Sequence, residues 1–344
     1  MKKNGSVLLI LTGGTISMGE NSASKSLCPL DCESVLASIP ELENLDVEIS
    51  SIAFNPLIDS SDFQPDNWVE ICNIIEKHYE RYDGFVVLHG TDTMSYSASA
   101  VSFMLENLSK PIIFTGSQLP VGIHRSDAKE NLITSIEIAA AKNDRGESII
   151  QEVCLYFEDM LMRGNRTTKR NAEEFDAFAS FNCHELAKSG VHIKYYPEYC
   201  IINRKKTPLI VHKKIDNNIA ILKLFPGINE KTVRSILEIE GLKSVVIESY
   251  GTGNAPSCDW LYTLLNNANK KGIILLNITQ CRAGSVEMGR YQTSVNLQKA
   301  GVISGYDLTT EAAVTKLMFL LGEYYDVKKI KKELSISIRG EMNK

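Results

Sequence analysis

Short runs of uninterrupted apolar residues, each followed by a stripe of helical period, limit what this chain can fold into. Ser6-Val7-Leu8-Leu9-Ile10-Leu11, Gly84-Phe85-Val86-Val87-Leu88, Lys110-Pro111-Ile112-Ile113-Phe114 and Val153-Cys154-Leu155-Tyr156-Phe157 are too short for helices and show no polar alternation. Such runs read as strands buried on both faces. Thr93 to Leu108 carries Met94, Ala98, Val101, Met104, Leu105 and Leu108 on one stripe, and Ser126-Asp127 precede a second stripe of Leu132, Ile133, Ile136, Ala139 and Ala140. Strands alternating with helices imply parallel pairing through right-handed crossovers. The pattern restarts at Ile219 to Leu224, Ser244 to Ile247 and Ile273 to Asn277, with a helix expected over Thr310 to Leu321. At 344 residues the chain is long for one core. The expected fold is therefore α/β with two α/β domains: a larger N-terminal, parallel-type sheet flanked by helices over 1–195 and a smaller C-terminal domain over 217–344. A linker over 196–216 is expected where Pro197, Lys205-Lys206 and Pro208 interrupt the periodicity.

Three strands of the first half break off into turns of glycine and hydroxyl: Thr12-Gly13-Gly14-Thr15, His89-Gly90-Thr91-Asp92-Thr93 and Thr115-Gly116-Ser117. Parallel strands collect such turns on one edge of one sheet, where open α/β folds hold their ligands. Glycines admit close backbone approach, and a helix start offers free N–H groups to a small anionic substrate. A crevice holding Thr15, Thr91, Asp92 and Ser117 has hydroxyl nucleophiles, N–H donors and an acid, the equipment of acyl transfer. It lacks a base. His89 sits ahead of the turn glycine and reads as a structural histidine; a lysine serves if its pKa falls toward neutrality, and spacing does not choose among the lysines. Asp59-Ser60-Ser61-Asp62 read first as helix caps, by Ser61 or Asp62. Arg163 to Arg170 holds four cations in eight residues and reads as solvated surface unless the fold brings a lysine to the crevice. Gly19 to Lys25 reads as a surface loop placed to act as a lid.

Net charge is −5, with lysines and arginines scattered, which argues against nucleic acid or an anionic membrane and for a small-molecule ligand. No run approaches the roughly 18 apolar residues of a spanning helix. The start lacks a signal-like apolar segment, so a cytoplasmic protein with reduced cysteines is expected. Cys28-Pro29-Leu30-Asp31-Cys32 has no second pair at zinc-like spacing, and no metal is expected. Gly251-Thr252-Gly253-Asn254-Ala255-Pro256 lacks the third glycine of a dinucleotide fingerprint, and no P-loop exists, so no cofactor is expected.

Thr12-Gly13-Gly14-Thr15-Ile16 together with His89-Gly90-Thr91-Asp92-Thr93-Met94 resembles the paired signatures of the asparaginase/glutaminase family. The likeness continues through Asp59 to Asp62, Thr115 to Gln118, Arg163 to Lys169, Phe175 to Ser180, Tyr250 to Pro256 and Asn277 to Cys281, and it is most similar to the cytoplasmic type I bacterial L-asparaginases. The resemblance implies a flavodoxin-like C-terminal domain and hydrolysis of the side-chain amide of L-asparagine. It further implies that Thr15 is the nucleophile and that Thr91, Lys169 and Asp92 form a proton-transfer triad. Asp59, Ser60 and Ser61 would hold the substrate's α-amino and α-carboxylate groups, Ser117 would line the pocket, and Asn254 would approach the site of a neighbouring subunit in a homodimer or homotetramer. Thr279, Gln280 and Cys281 would correspond to an effector site between subunits. Two positions depart from the pattern. Leu27 stands where relatives carry a loop tyrosine, and Glu248 stands where an arginine accompanies the effector site, which implies weak or absent activation by asparagine. The rival readings are a glutaminase or mixed activity, an amidotransferase subunit, for whose extra N-terminal domain a first strand at Ser6 leaves no room, and an amino-acid-binding protein.

Overall fold

The computed structural model describes residues 3–20, 27–289 and 292–343. The expected lid lies largely outside the described residues, as does the side chain of Leu27. The chain divides into two compact units, Met1–Lys213 and Lys214–Lys344.

The first unit is built on an eight-stranded sheet of β1 (Gly5–Leu11), β2 (Val47–Ala53), β3 (Gly84–Leu88), β4 (Ile112–Thr115), β5 (Val153–Phe157), β6 (Met160–Arg163), β7 (Ala187–Lys188) and β8 (Lys194–Tyr195), in the order β8-β7-β6-β5-β4-β3-β1-β2. The five strands from β2 to β5 pair in parallel, as the alternation with helices requires. The remaining three are antiparallel. Only Glu158 and Asp159 separate β5 from β6, too few for a crossover, so that connection has to be a hairpin.

Helices α1 (Pro65–His78), α2 (Met94–Met104) and α3 (Ala128–Ala140) accompany this sheet. The cap of α1 is a Gln64/Asn67 capping box with Pro65 in the first turn, not Ser61 or Asp62. Helix α2 stops four residues short of the expected Leu108: Leu105–Glu106 leave it as a short strand paired with Ile210–Val211. Beneath the sheet, Val7, Leu9, Leu11, Val86, Leu88 and Ile113 pack with Leu132, Ile136 and Ala139 of α3, each 0–1% exposed. Burying each large aliphatic side chain contributes roughly 1.5–3 kcal/mol, which fixes the strand ends from which the turns depart.

The second unit holds a four-stranded, all-parallel sheet of β9 (Ile219–Lys223), β10 (Ser244–Ser249), β11 (Ile274–Thr279) and β12 (Ile303–Ser304) in sequential order. Its core joins Leu222, Val245, Ile247 and Leu275 to Leu261 and Leu265 of α4 (Asp259–Lys270). Helix α5 (Thr310–Glu323), capped by the Thr309 hydroxyl, runs two residues beyond the expected Leu321. Among the described residues no helix is long and apolar enough to cross a membrane.

Candidate active site

The turn after β1 packs into the turn after β3. Gly14 has φ +86°, and a Cβ there would strike the Gly90 backbone. A Cβ on Gly90 would in turn lie 2.5 Å from the Ser60 hydroxyl oxygen. Both positions therefore exclude side chains. The Thr12 N–H donates to Leu88 O (3.0 Å), His89 N–H to Thr115 O (2.9 Å) and Ile58 N–H to Thr12 O (2.8 Å), so the segments after β1, β2, β3 and β4 meet at the carboxyl edge of the sheet. Thr15 is half-buried and opens a 3-10 turn, Thr15–Ser17, whose Ile16 and Ser17 are buried. Thr93 donates its hydroxyl to Ser60 O at 2.6 Å, fastening the Asp59 segment to the same edge.

Lys169 completes the group from far along the chain. It lies on a two-residue strand, Thr168–Lys169, paired antiparallel with Phe178–Ala179. Its ammonium donates to Thr91 Oγ1 at 2.8 Å and to Asp92 Oδ1 at 2.7 Å. Thr91 is 8% exposed. Asp92 is open to solvent and Lys169 mostly covered, with side chains 65% and 18% exposed. The Thr91 hydroxyl donates to Gln118 Oε1 at 3.4 Å. Ser117 is buried, and its hydroxyl donates to Leu119 O at 2.6 Å, which commits that proton to the backbone.

The Asp59 carboxylate accepts both the backbone N–H and the hydroxyl of Ser61, at 2.9 and 2.7 Å. These two bonds hold its pKa below the usual carboxylate range, so an exposed anion stands beside the buried Ser60. His89 belongs to the scaffold. Its Nδ1 lies 2.7 Å from Gly90 O, a pure acceptor, so Nδ1 carries the proton and Nε2 accepts from the Ser97 hydroxyl at 2.9 Å. Ser97 in turn accepts from Trp68 Nε1 at 3.0 Å. Burial lowers the His89 pKa to about 4, leaving a neutral ring that braces the turn.

The basic stretch from Arg163 to Arg170 is not solvated surface. Arg163, 9% exposed, forms a 2.5 Å ion pair with Glu152 and donates to Tyr199 O at 2.7 Å. Arg166, 3% exposed, donates to Asn182 O at 2.7 Å, and Arg170 pairs with Asp176. A buried guanidinium needs a partner, and Glu152, just ahead of β5, supplies it for Arg163 only once the chain is folded.

The remaining candidates cluster within the second unit. Asn254 exchanges backbone hydrogen bonds with Tyr250 at 2.8 and 2.9 Å. At the end of β11, Thr279 donates its hydroxyl to Gly251 O at 2.6 Å and accepts the Cys281 N–H at 3.0 Å. Gln280 Nε2 reaches Leu224 O at 2.6 Å and Glu248 O at 2.8 Å. The buried Glu248 carboxylate pairs with Lys223 at 3.1 Å and accepts the Thr310 hydroxyl at 2.7 Å.

Comparison with known proteins covers both units. The family model described as "Asparaginase, N-terminal" matches residues 6–200, and that described as "Glutaminase/Asparaginase C-terminal domain" matches residues 218–334. The chain is 42% identical to L-asparaginase 1 of Escherichia coli over 343 residues, 98% of each protein. It is 34% identical to a glutamyl-tRNA(Gln) amidotransferase subunit of Methanobrevibacter smithii, covering 98% of this chain and 77% of that one. Among solved structures, L-asparaginase I from Vibrio cholerae aligns with a TM-score of 0.90 at 38% identity, over 98% of this chain and 99% of the other.

Proposed function

This chain belongs to the asparaginase/glutaminase family, and on that footing we propose that it hydrolyses the side-chain amide of L-asparagine to L-aspartate and ammonia. One observation carries the reading: a lysine ammonium 2.8 Å from the Thr91 hydroxyl and 2.7 Å from the Asp92 carboxylate, at the sheet edge where the Thr15 turn packs. Thr15 Oγ attacks the amide carbon, its proton leaves with the nitrogen as ammonia, and water then cleaves the aspartyl ester to restore the hydroxyl. Thr91 and Lys169 carry the proton, and Asp92 fixes and balances the ammonium. Asp59 takes the α-ammonium of the substrate, Ser60 and Ser61 its α-carboxylate, and the Ser117 turn lines the pocket. None of these steps calls for a cofactor. We place the enzyme in the cytoplasm as a homodimer or homotetramer, with Asn254 reaching the site of a partner copy.

Glutamine is the nearest competing substrate, because one methylene is worth about 1–3 kcal/mol of discrimination. Ammonia release measured on both amino acids is expected to favour asparagine roughly 10–200-fold in kcat/KM. Comparable values would favour a mixed enzyme, and release from neither would exclude the proposal. The same measurement reports on Thr279, Gln280 and Cys281 as an effector site. Glu248 offers a satisfied carboxylate where an effector's own carboxylate would need a donor. A hyperbolic dependence of rate on asparagine is therefore expected, and a sigmoidal one would contradict this reading of Glu248.

A further inference from the structure

A cavity of about 860 Å³ opens in the first unit at the end of the sheet opposite the catalytic turns. Its lining comes from residues that lead into three parallel strands: Asp83 before β3, Lys110 before β4 and Gln151 before β5. The catalytic turns leave these or neighbouring strands at their other ends. A five-residue strand spans about 16 Å, so the cavity is separate from the chemistry. The segment that closes it is tied down at Asn203, whose N–H donates to Gln151 Oε1 at 2.9 Å and whose Nδ2 donates to Asn107 O at 2.8 Å and Thr207 O at 3.0 Å. The wall is therefore built by the fold, and the volume is that of a site for a small molecule.

Its charge runs against that of the chain. The chain carries −5, whereas the cavity is lined by five cations and three acids, a surplus of two positive charges. Lys142 pairs with Asp83 at 2.8 Å and Lys206 with Glu147 at 2.8 Å. Lys110 donates to Tyr79 O and, at 2.8 Å, to Tyr82 O. Arg145 acts electrostatically on Glu147, which Lys206 already bridges, and Arg204 has no ion-pair partner among the described residues. Glu80 is the third acid, and it acts on Lys110. Two guanidiniums thus border the cavity without a dedicated carboxylate. Each presents a planar fork that matches phosphate oxygens two at a time.

We propose that this cavity binds a small anion bearing two or more phosphate groups, held by Arg145 and Arg204. The chain's overall negative charge disfavours a long polyanion and leaves a compact one. Isothermal titration of the full-length protein with inorganic pyrophosphate tests the assignment, with citrate as the carboxylate control. Saturable binding of one pyrophosphate per chain is expected, weakening with added salt. In Arg145→Ala/Arg204→Ala binding is expected to fall roughly tenfold or more, while melting temperature and ammonia release without pyrophosphate stay unchanged. Both side chains lie on exposed residues, so the variant is expected to fold. No saturable binding, binding unaltered in the double variant, or citrate binding as tightly as pyrophosphate would overturn the proposal.

Discussion

Replacing Lys169 with methionine is expected to lower kcat for ammonia release about 10²–10⁴-fold, the range for losing a positioned proton-transfer group. The fold should survive. Asp92, the anion left behind, has a side chain 65% exposed, so solvent takes over from the ammonium and no buried charge is stranded. Thr91→Ala should produce a loss of similar size. The two groups share one 2.8 Å hydrogen bond, and on the proposed mechanism they pass the same proton, so the double variant should be little worse than either single one. Near-normal turnover in Lys169→Met, or losses that multiply in the double variant, would show that Thr91 and Lys169 do not pass a proton between them.

The second large effect concerns stability. In the second unit Lys316 of α5 and Glu341 near the C-terminus are both fully excluded from solvent, 2.6 Å apart. The ammonium also donates to Ile336 O at 2.6 Å, and the carboxylate accepts the N–H groups of Arg339 at 2.7 Å and Ile338 at 3.0 Å. This network ties the segment 336–341 to α5. Lys316→Met strands the buried carboxylate and is expected to cost about 3–5 kcal/mol, because breaking one side of a buried pair leaves its desolvation uncompensated. For a unit of this size that is a fall in melting temperature of roughly 10–20 °C. Lys316→Met/Glu341→Met removes both charges and should recover much of the loss. A single variant that melts like the parent would show that the pair contributes nothing.

The same pair predicts a pH dependence. Burial raises the Glu341 pKa, but the Lys316 ammonium and the backbone donors outweigh it and hold the pKa below its ordinary 4.5. A depressed carboxylate stabilises the fold fully above the unfolded value and loses that contribution as pH falls through its own pKa. The stability conferred by the pair should therefore be constant above about pH 5 and decline only below it.

The turn residues were legible because glycine and hydroxyl residues sit directly after apolar runs, and parallel pairing leaves those turns one edge to occupy. Gly14 against Gly90 is the physical trace of that logic. Lys169 was not legible from spacing. It follows Thr91 by 78 residues and arrives on a two-residue strand that carries no periodic signal. Its neighbours Arg163 and Arg166 looked solvated because nothing in a linear reading marks Glu152 and the Asn182 carbonyl as their partners. The early end of α2 was hidden for a similar reason: Leu105 keeps the helical stripe, and only pairing with Val211, about a hundred residues later, draws it into a strand. Local patterns thus set the frame and the strand-end hydroxyls, while long-range pairing brings Lys169 to Thr91 and Asp92.

Ammonia release from L-asparagine by the parent protein and by Thr15→Ala, run side by side, tests the central claim most directly. The parent should turn over, and Thr15→Ala should release no more ammonia than a blank while melting at the parent's temperature. Near-normal turnover in Thr15→Ala, or none in the parent, would contradict the assignment of Thr15 as the nucleophile of an asparagine-hydrolysing site.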